Sequence, residues 1–196
     1  ILMQTYRQFV DPCYSVRQVL VEHHHFNDEK KSEHIKGLLL RCREQNAIPI
    51  VNYNDAVSSE ENRRLEIMAL TRGNRRVFEC VDNDETAARI ACLVKAKYLV
   101  ILTSVDGIYT DHDDPATLVR TISGKDAYEL VENIERHKAY CEGASRAGAN
   151  GAKAKLEYVK DAAAQGTTVY IANAKYTLGA VLSGEIPCTK IGIGLK

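Results

Sequence analysis

Four short clusters in this 196-residue chain gather side chains that hold charged small molecules. Asn52-Tyr53-Asn54-Asp55 puts two carboxamides and a carboxylate within four residues, and Asp82-Asn83-Asp84 puts two carboxylates around one carboxamide. Thr103-Ser104-Val105-Asp106-Gly107 adds two hydroxyls and an acid. Carboxylates accept hydrogen bonds and carboxamides both donate and accept them, so such a set can line a polar ligand site. The fourth cluster, Gly143 to Lys155, reads GASRAGANGAKAK and runs into an alanine-rich helical stretch. Glycines ahead of a helix let backbone amides approach an anion, and the helix N-terminus favours negative charge. Lys153 and Lys155 fall in the first turn, where the helix dipole disfavours a cation. A bound anion such as a nucleotide phosphate would offset that cost. The spacing is not that of a Walker A loop. Asn, Asp and Gly are also ordinary turn and capping residues, so each cluster taken alone reads equally as turn chemistry.

Positioning these clusters requires a scaffold of alternating helices and strands. Ser32 to Gln45 places Ile35, Leu38, Leu39 and Cys42 at amphipathic-helix spacing. Asp84 to Lys95, Lys125 to Arg136 and Ala152 to Gln165 are also expected as helices, the last stopping at Gly166. Ala47 to Val51, Tyr98 to Thr103 and Thr167 to Ala172 are short apolar runs that read as buried strands. Leu178 to Ser183 is expected as a short helix before a last strand around Thr189 to Ile193. This alternation implies an α/β sandwich with a mostly parallel sheet covered on both faces. Ligands of such sheets gather at the carboxyl ends of the strands, where three of the four clusters fall.

Composition narrows the function classes. The chain balances 26 basic against 26 acidic residues, which gives no electrostatic footprint for nucleic acid or a membrane surface. No apolar run approaches the roughly 20 residues that span a bilayer. ILMQTYRQFV has neither a basic leader nor a long apolar core, so it does not read as a signal peptide. Six scattered cysteines without a C-x-x-C pair read as reduced thiols of a cytoplasmic protein. His23-His24-His25 is expected to be a polar loop rather than a metal site, since consecutive residues cannot share a face.

Taken together and in order, the clusters resemble motifs of the amino acid kinase family, and its glutamate 5-kinase branch above all. The family's I-P-I-x-N-E-N-D corresponds to Ile48-Pro49-Ile50-Val51-Asn52-Tyr53-Asn54-Asp55. Its G-D-N-D corresponds to Val81-Asp82-Asn83-Asp84, and its L-L-T-D-x-x-G-L-Y to Leu102 through Tyr109. Its G-T-G-G-M-x-T-K-L corresponds more loosely to Gly148 through Leu156. Ser104 stands where the family carries aspartate, Val81 replaces a glycine and Tyr53 a glutamate. The family's opening K-x-G-[ST] strand and its S-S-G-A segment have no counterpart, and the chain opens on Ile1.

The resemblance implies a three-layer α/β/α sandwich with a mainly parallel sheet, one domain over residues 1–196 lacking its N-terminal strands. About 1–76 would be the remaining substrate lobe and about 77–196 the nucleotide lobe. It implies transfer of the ATP γ-phosphoryl group to the side-chain carboxylate of an amino acid, glutamate first, with Mg²⁺ as cofactor. Asn52, Asp55 and Asn83 would hold the amino acid, Asp55 taking its ammonium group. Asp84 would orient the catalytic lysines, and Lys155 would neutralise charge developing on the transferred phosphoryl. Thr103, Ser104, Asp106, Gly107, Gly148, Gly151 and Lys153 would border the nucleotide. Neither nucleic acid nor membrane is an expected partner, whereas a homo-oligomer, dimer or tetramer, is. Two other readings stay open on the sequence: a nucleoside monophosphate kinase resembling uridylate kinases, and an inactive module that binds an amino acid or nucleotide.

Overall fold

Two parallel strands organise the first part of the chain. β1 (Ser15–Val21) and β2 (Ala47–Tyr53) pair in parallel from Ser15 opposite Ala47 to Val21 opposite Tyr53. Parallel neighbours need a crossover, and α3 (Glu29–Glu44) supplies it, burying Ile35, Leu39 and Cys42. It starts three residues earlier than its apolar periodicity indicates because Asp28 caps it, accepting a 2.9 Å hydrogen bond from the Lys31 amide. α1 (Leu2–Phe9) precedes β1, and the one-turn α2 (His24–Asn27) lies between β1 and α3. The computed structural model describes residues 2–54, 67–68, 77–80, 82–111, 113–141 and 151–195. It divides the chain into two units, Ile1–Asn83 and Asp84–Lys196.

The histidine run departs from the polar loop expected of it. His23 is only 1% exposed, with Nδ1 3.2 Å from the Tyr53 hydroxyl, and His24–Asn27 forms a helical turn. The cause is local pairing. His25 Nδ1 accepts from the Glu22 amide at 2.8 Å, and His24 Nδ1 lies 3.4 Å from the Glu22 carboxylate. Burial and the neighbouring His24 hold the His25 imidazole below its usual value.

The second unit is a four-stranded sheet, in the order β3-β5-β6-β4, layered between helices. Its elements are α4 (Asn83–Val94), β3 (Tyr98–Thr103), β4 (Thr121–Gly124), α5 (Ala127–Tyr140), α6 (Ala152–Ala164), β5 (Thr168–Asn173), α7 (Leu178–Ser183) and β6 (Cys188–Ile193). β3–β5 and β4–β6 run parallel and β5–β6 antiparallel, so three of the four strand pairings among the described residues are parallel. Leu99, Ile101, Ile122, Val169, Ile171 and Ile191 share one face of the sheet. They pack against Ala88 and Ala91 of α4, Leu130 and Ile134 of α5, and Leu156, Val159 and Ala162 of α6. Tyr170, Ala172 and Cys188 line the other face, against Val181 of α7. The result is the helix–sheet–helix layering that the alternating pattern implies, although α7 leaves Leu102 54% exposed on its side.

α5 and α6 are joined by more than apolar contact. Lys138 reaches Glu135 at 2.8 Å and also pairs with Glu157, while Lys160 bonds Glu135 at 2.7 Å and Glu157 at 2.9 Å. Hydrogen bonds from Lys138 and Lys160 hold the Glu135 carboxyl below its ordinary 4.5. Burial pushes the Glu157 carboxyl up, but the same two lysines outweigh it and leave it low. Burial also works against the charge on both lysines, and their carboxylate partners outweigh it, raising Lys138 and Lys160 above 10.5. Depressed carboxyls stabilise the fold above their unfolded value and lose that contribution as pH falls through the folded one. Raised lysines stabilise it below their unfolded value and lose that contribution as pH climbs through the folded one. Glu157→Gln is therefore expected to cost about 1 kcal/mol near neutrality, kept small by the exposure of the carboxylates. In urea titrations the difference from wild type should shrink as pH falls below 4.5.

Candidate functional site

Short connections decide which edge of the sheet carries chemistry in the second unit. Only Lys95, Ala96 and Lys97 separate α4 from β3, and only Gln165, Gly166 and Thr167 separate α6 from β5. Each helix must then run back along the strand it feeds. The N-terminal turns of α4 and α6 consequently lie toward the carboxyl ends of β3 and β5. Thr167 locks the opposite edge, its hydroxyl donating to the Ala96 carbonyl at 2.7 Å and its amide to Ala162 at 3.0 Å.

At the carboxyl edge the two helix starts are tied by one ion pair. Lys155 Nζ donates to Asp84 Oδ2 at 2.6 Å, with the two side chains 19% and 20% exposed. Asp84 sits in the first turn of α4, where the dipole favours an acid, and Lys155 sits near the start of α6, where it disfavours a cation. The carboxylate offsets that cost to Lys155 and holds the ammonium at a convergence of two positive helix ends. Such a point attracts a polyanion. Gly151 is the N-cap of α6 and offers no side-chain cap, while its carbonyl accepts from Ala154 at 3.0 Å and Lys155 at 3.2 Å. Lys153 lies on the exposed side of the same turn.

The end of β3 carries Thr103, the loop after it carries Ser104, Asp106 and Gly107, and the end of β5 braces both. The Thr103 carbonyl accepts from the Ala174 amide at 2.9 Å, and the Ser104 carbonyl accepts from Asn173 Nδ2 at 3.0 Å. Lys175 Nζ lies 3.0 Å from Asp106 Oδ1 and 4.8 Å from the centre of the Tyr176 ring. Asp106, with Tyr176, holds the Lys175 ammonium above its usual value. Asn173 and Lys175 are absent from the sequence-based candidates. They follow directly on the third apolar run, so the strand-end rule that picks out Thr103 to Gly107 also points to them.

Gly107 is fixed by close approach. A Cβ there would meet the Thr189 side chain, its backbone nitrogen at 2.9 Å, and Leu118 Cδ1 at 3.0 Å. The fully buried Thr189 hydroxyl is committed, accepting from the Ile108 amide at 2.8 Å and donating to the Val119 carbonyl at 2.7 Å. Gly107→Ala should therefore cost about 2 kcal/mol through overpacking. Its urea midpoint should fall at an unchanged m-value.

In the first unit, Asn52 is exposed near the carboxyl end of β2, two residues from Asn54. Asn54 Nδ2 donates to Glu22 Oε1 at 2.8 Å and its amide to the Val21 carbonyl at 2.9 Å, drawing the ends of β1 and β2 together. Asn83 is the exposed first residue of α4. Asp55, Gly148 and most of the glycine segment lie outside the described residues. The arrangement therefore joins Asp84 with Lys155, and Thr103, Ser104 and Asp106 with Asn173 and Lys175. Among the described residues no group of three or more His, Cys, Asp or Glu side chains is placed to hold a metal ion. None of their helices is long and apolar enough to cross a membrane.

Comparison with known proteins bears on this geometry. The chain is 31% identical over 187 residues to a glutamate 5-kinase of Idiomarina loihiensis, covering 93% of this chain and 44% of that protein. It is 31% identical over 189 residues to a glutamate 5-kinase of Clostridium perfringens, covering 94% of this chain and 64% of that protein. The chain thus spans about half to two thirds of these relatives' lengths. Among solved structures, a carbamate kinase from Giardia lamblia bound to AMP-PNP superposes with a TM-score of 0.59 at 14% identity, covering 98% of this chain and 69% of that one. That likeness supports the α/β fold. The amino acid kinase family itself matches residues 1–173, and the chain belongs to that family.

Proposed function

We propose that this protein transfers the γ-phosphoryl group of ATP to the side-chain carboxylate of an amino acid, with glutamate as the acceptor. The observation that carries the reading is the 2.6 Å Lys155–Asp84 pair, which holds a cation between two helix starts. In the step proposed, an acceptor carboxylate oxygen forms a bond to the γ-phosphorus. The bond from that phosphorus to the β,γ-bridging oxygen breaks, and ADP leaves with the electron pair. No proton need move, so the protein's task is placement and charge neutralisation.

Each residue set suits one part of that task. Lys155 neutralises charge on the phosphoryl oxygens, and Asp84 keeps its ammonium in place. Lys153, Gly151 and Gly148 border the phosphates, while Thr103, Ser104, Asp106 and Gly107 border the remainder of the nucleotide. Asn52, Asp55 and Asn83 hold the amino acid, the Asp55 carboxylate facing its ammonium group. In this reading about 1–76, joined by Asn83, serve the acceptor, and the remainder of about 77–196 serves the nucleotide. A bound Mg²⁺ supplies further neutralisation of phosphate charge. The expected product is glutamyl 5-phosphate, an intermediate that suits amino-acid biosynthesis in the cytoplasm, and the working form is a homo-oligomer.

The test is ADP release with ATP, Mg²⁺ and a panel of glutamate, aspartate, acetylglutamate and UMP. Release with glutamate and little with the others is the expected result. Release with UMP would move the protein to nucleotide phosphorylation, and no release with any acceptor would overturn the kinase reading.

A further inference from the structure

The Asn27 side chain makes an unusual set of bonds. Its Nδ2 donates to the His23 carbonyl at 2.8 Å and to the Phe78 carbonyl at 2.7 Å, and its Oδ1 accepts from the Phe78 amide at 2.9 Å. Both amide protons and the oxygen are used, and exchanging O and N would set like against like at all three contacts. Val77–Cys80 belongs to no strand, so Asn27 gives Phe78 the donor–acceptor pair that a neighbouring strand would otherwise supply. Asn27 closes α2, just beyond the carboxyl end of β1.

A second observation concerns the same segment. Cys80 is 1% exposed and has φ +51°, a left-handed conformation that costs a residue with a Cβ about 1–2 kcal/mol. Such conformations persist where the surroundings over-determine them, and they cluster at functional sites. Cys80 is itself buried, and the Asn27–Phe78 bonds fix the backbone two residues before it. Asp82 and Asn83 follow within three residues, and Asn83 opens α4.

We propose that Asn27 is a positioning residue for the acceptor site. By holding Phe78 it maintains the left-handed turn at Cys80, and the turn sets where Asp82 and Asn83 emerge. The proposal rests on the carboxylate-kinase reading, in which Asn83 holds the amino acid. Without the carboxamide the turn relaxes and Asn83 loses its register, so acceptor binding should suffer while nucleotide binding does not.

Steady-state kinetics with varied glutamate and varied ATP, alongside amide hydrogen exchange, test this. Asn27→Ala should raise the glutamate KM about tenfold, leave the ATP KM within about twofold, and speed Phe78 amide exchange at least about tenfold. Ser32→Ala is the control. It removes a 2.9 Å bond from Ser32 Oγ to the His25 carbonyl in the same region without touching Phe78, so it should change neither KM. If Asn27→Ala does not fold, the equal-sized Asn27→Asp carries the same expectation, because it sets a carboxylate oxygen against two carbonyls. A glutamate KM within twofold of wild type, or glutamate and ATP KM values rising together, overturns the proposal. If the wild type turns over no acceptor, the functional reading falls and exchange alone decides the clamp. Unchanged Phe78 protection then overturns it, and loss confined to residues 77–83 supports it.

Discussion

Lys155→Ala is expected to lower kcat about a thousandfold while leaving the glutamate KM within about threefold, as determined from steady-state rates of ADP release. The asymmetry follows from position. The Lys155 ammonium is held at 2.6 Å by Asp84 at the start of a helix, and the proposed reading assigns it to the phosphoryl group rather than to the acceptor. Charge builds on the phosphoryl oxygens chiefly in the transition state, so a fixed cation there works more on that state than on bound substrates. Removing it costs the catalytic step and spares binding. The variant also leaves the Asp84 carboxylate, 20% exposed, without its cation, so some loss of stability should accompany the loss of rate. Lys155→Met, which keeps most of the aliphatic stem, separates the two effects: its rate should fall as far while packing is better preserved.

Asp84→Asn should lower kcat about a hundredfold. The carboxamide keeps the shape and can still accept a hydrogen bond, so α4 should start unchanged. What it lacks is the charge that holds a cation against the unfavourable dipole at the start of α6. Lys155 remains present but no longer confined, and confinement is what a positioned charge contributes. Because Asp84 acts through Lys155, the double variant Asp84→Asn/Lys155→Ala should be no slower than Lys155→Ala alone, within about threefold. Additive losses in that cycle would mean that Asp84 acts on substrate independently of the lysine.

Much of the scaffold was legible because its longer helices show amphipathic spacing and its buried strands are continuous apolar runs. Ala152 to Gln165 and Tyr98 to Thr103 fall within a residue of α6 and β3, and Leu178 to Ser183 coincides with α7. β1 was not legible, since Arg17 and Gln18 interrupt the apolar run and its burial falls on Val16, Val19 and Val21. β4 has only four residues, too few for periodicity to register. α1 buries none of its residues, so nothing in its packing distinguishes it.

The site was legible in parts for a physical reason. Motifs at strand ends and helix starts announce themselves by residue type, so Thr103 to Gly107 after β3 and Asp82 to Asp84 at α4 stand out. Bonds between distant segments do not. Asn27 reaches across 51 residues to Phe78, and Thr189 across 81 to Ile108. Each is a single ordinary polar residue whose role exists only once the chain has folded. Lys175 and Asn173 are intermediate, since adjacency to β5 marks them but residue type alone does not.

The central claim is that a carboxylate takes the phosphoryl group, and trapping the product tests it most directly. An acyl phosphate reacts with hydroxylamine to give a hydroxamate, whereas a phosphate monoester or anhydride does not do so under mild conditions. The protein incubated with ATP, Mg²⁺, glutamate and hydroxylamine should form glutamyl hydroxamate and ADP in equal amounts, and Lys155→Ala should form neither at a comparable rate. ADP released from glutamate reactions without hydroxamate, or hydroxamate formed equally by Lys155→Ala, would contradict the account.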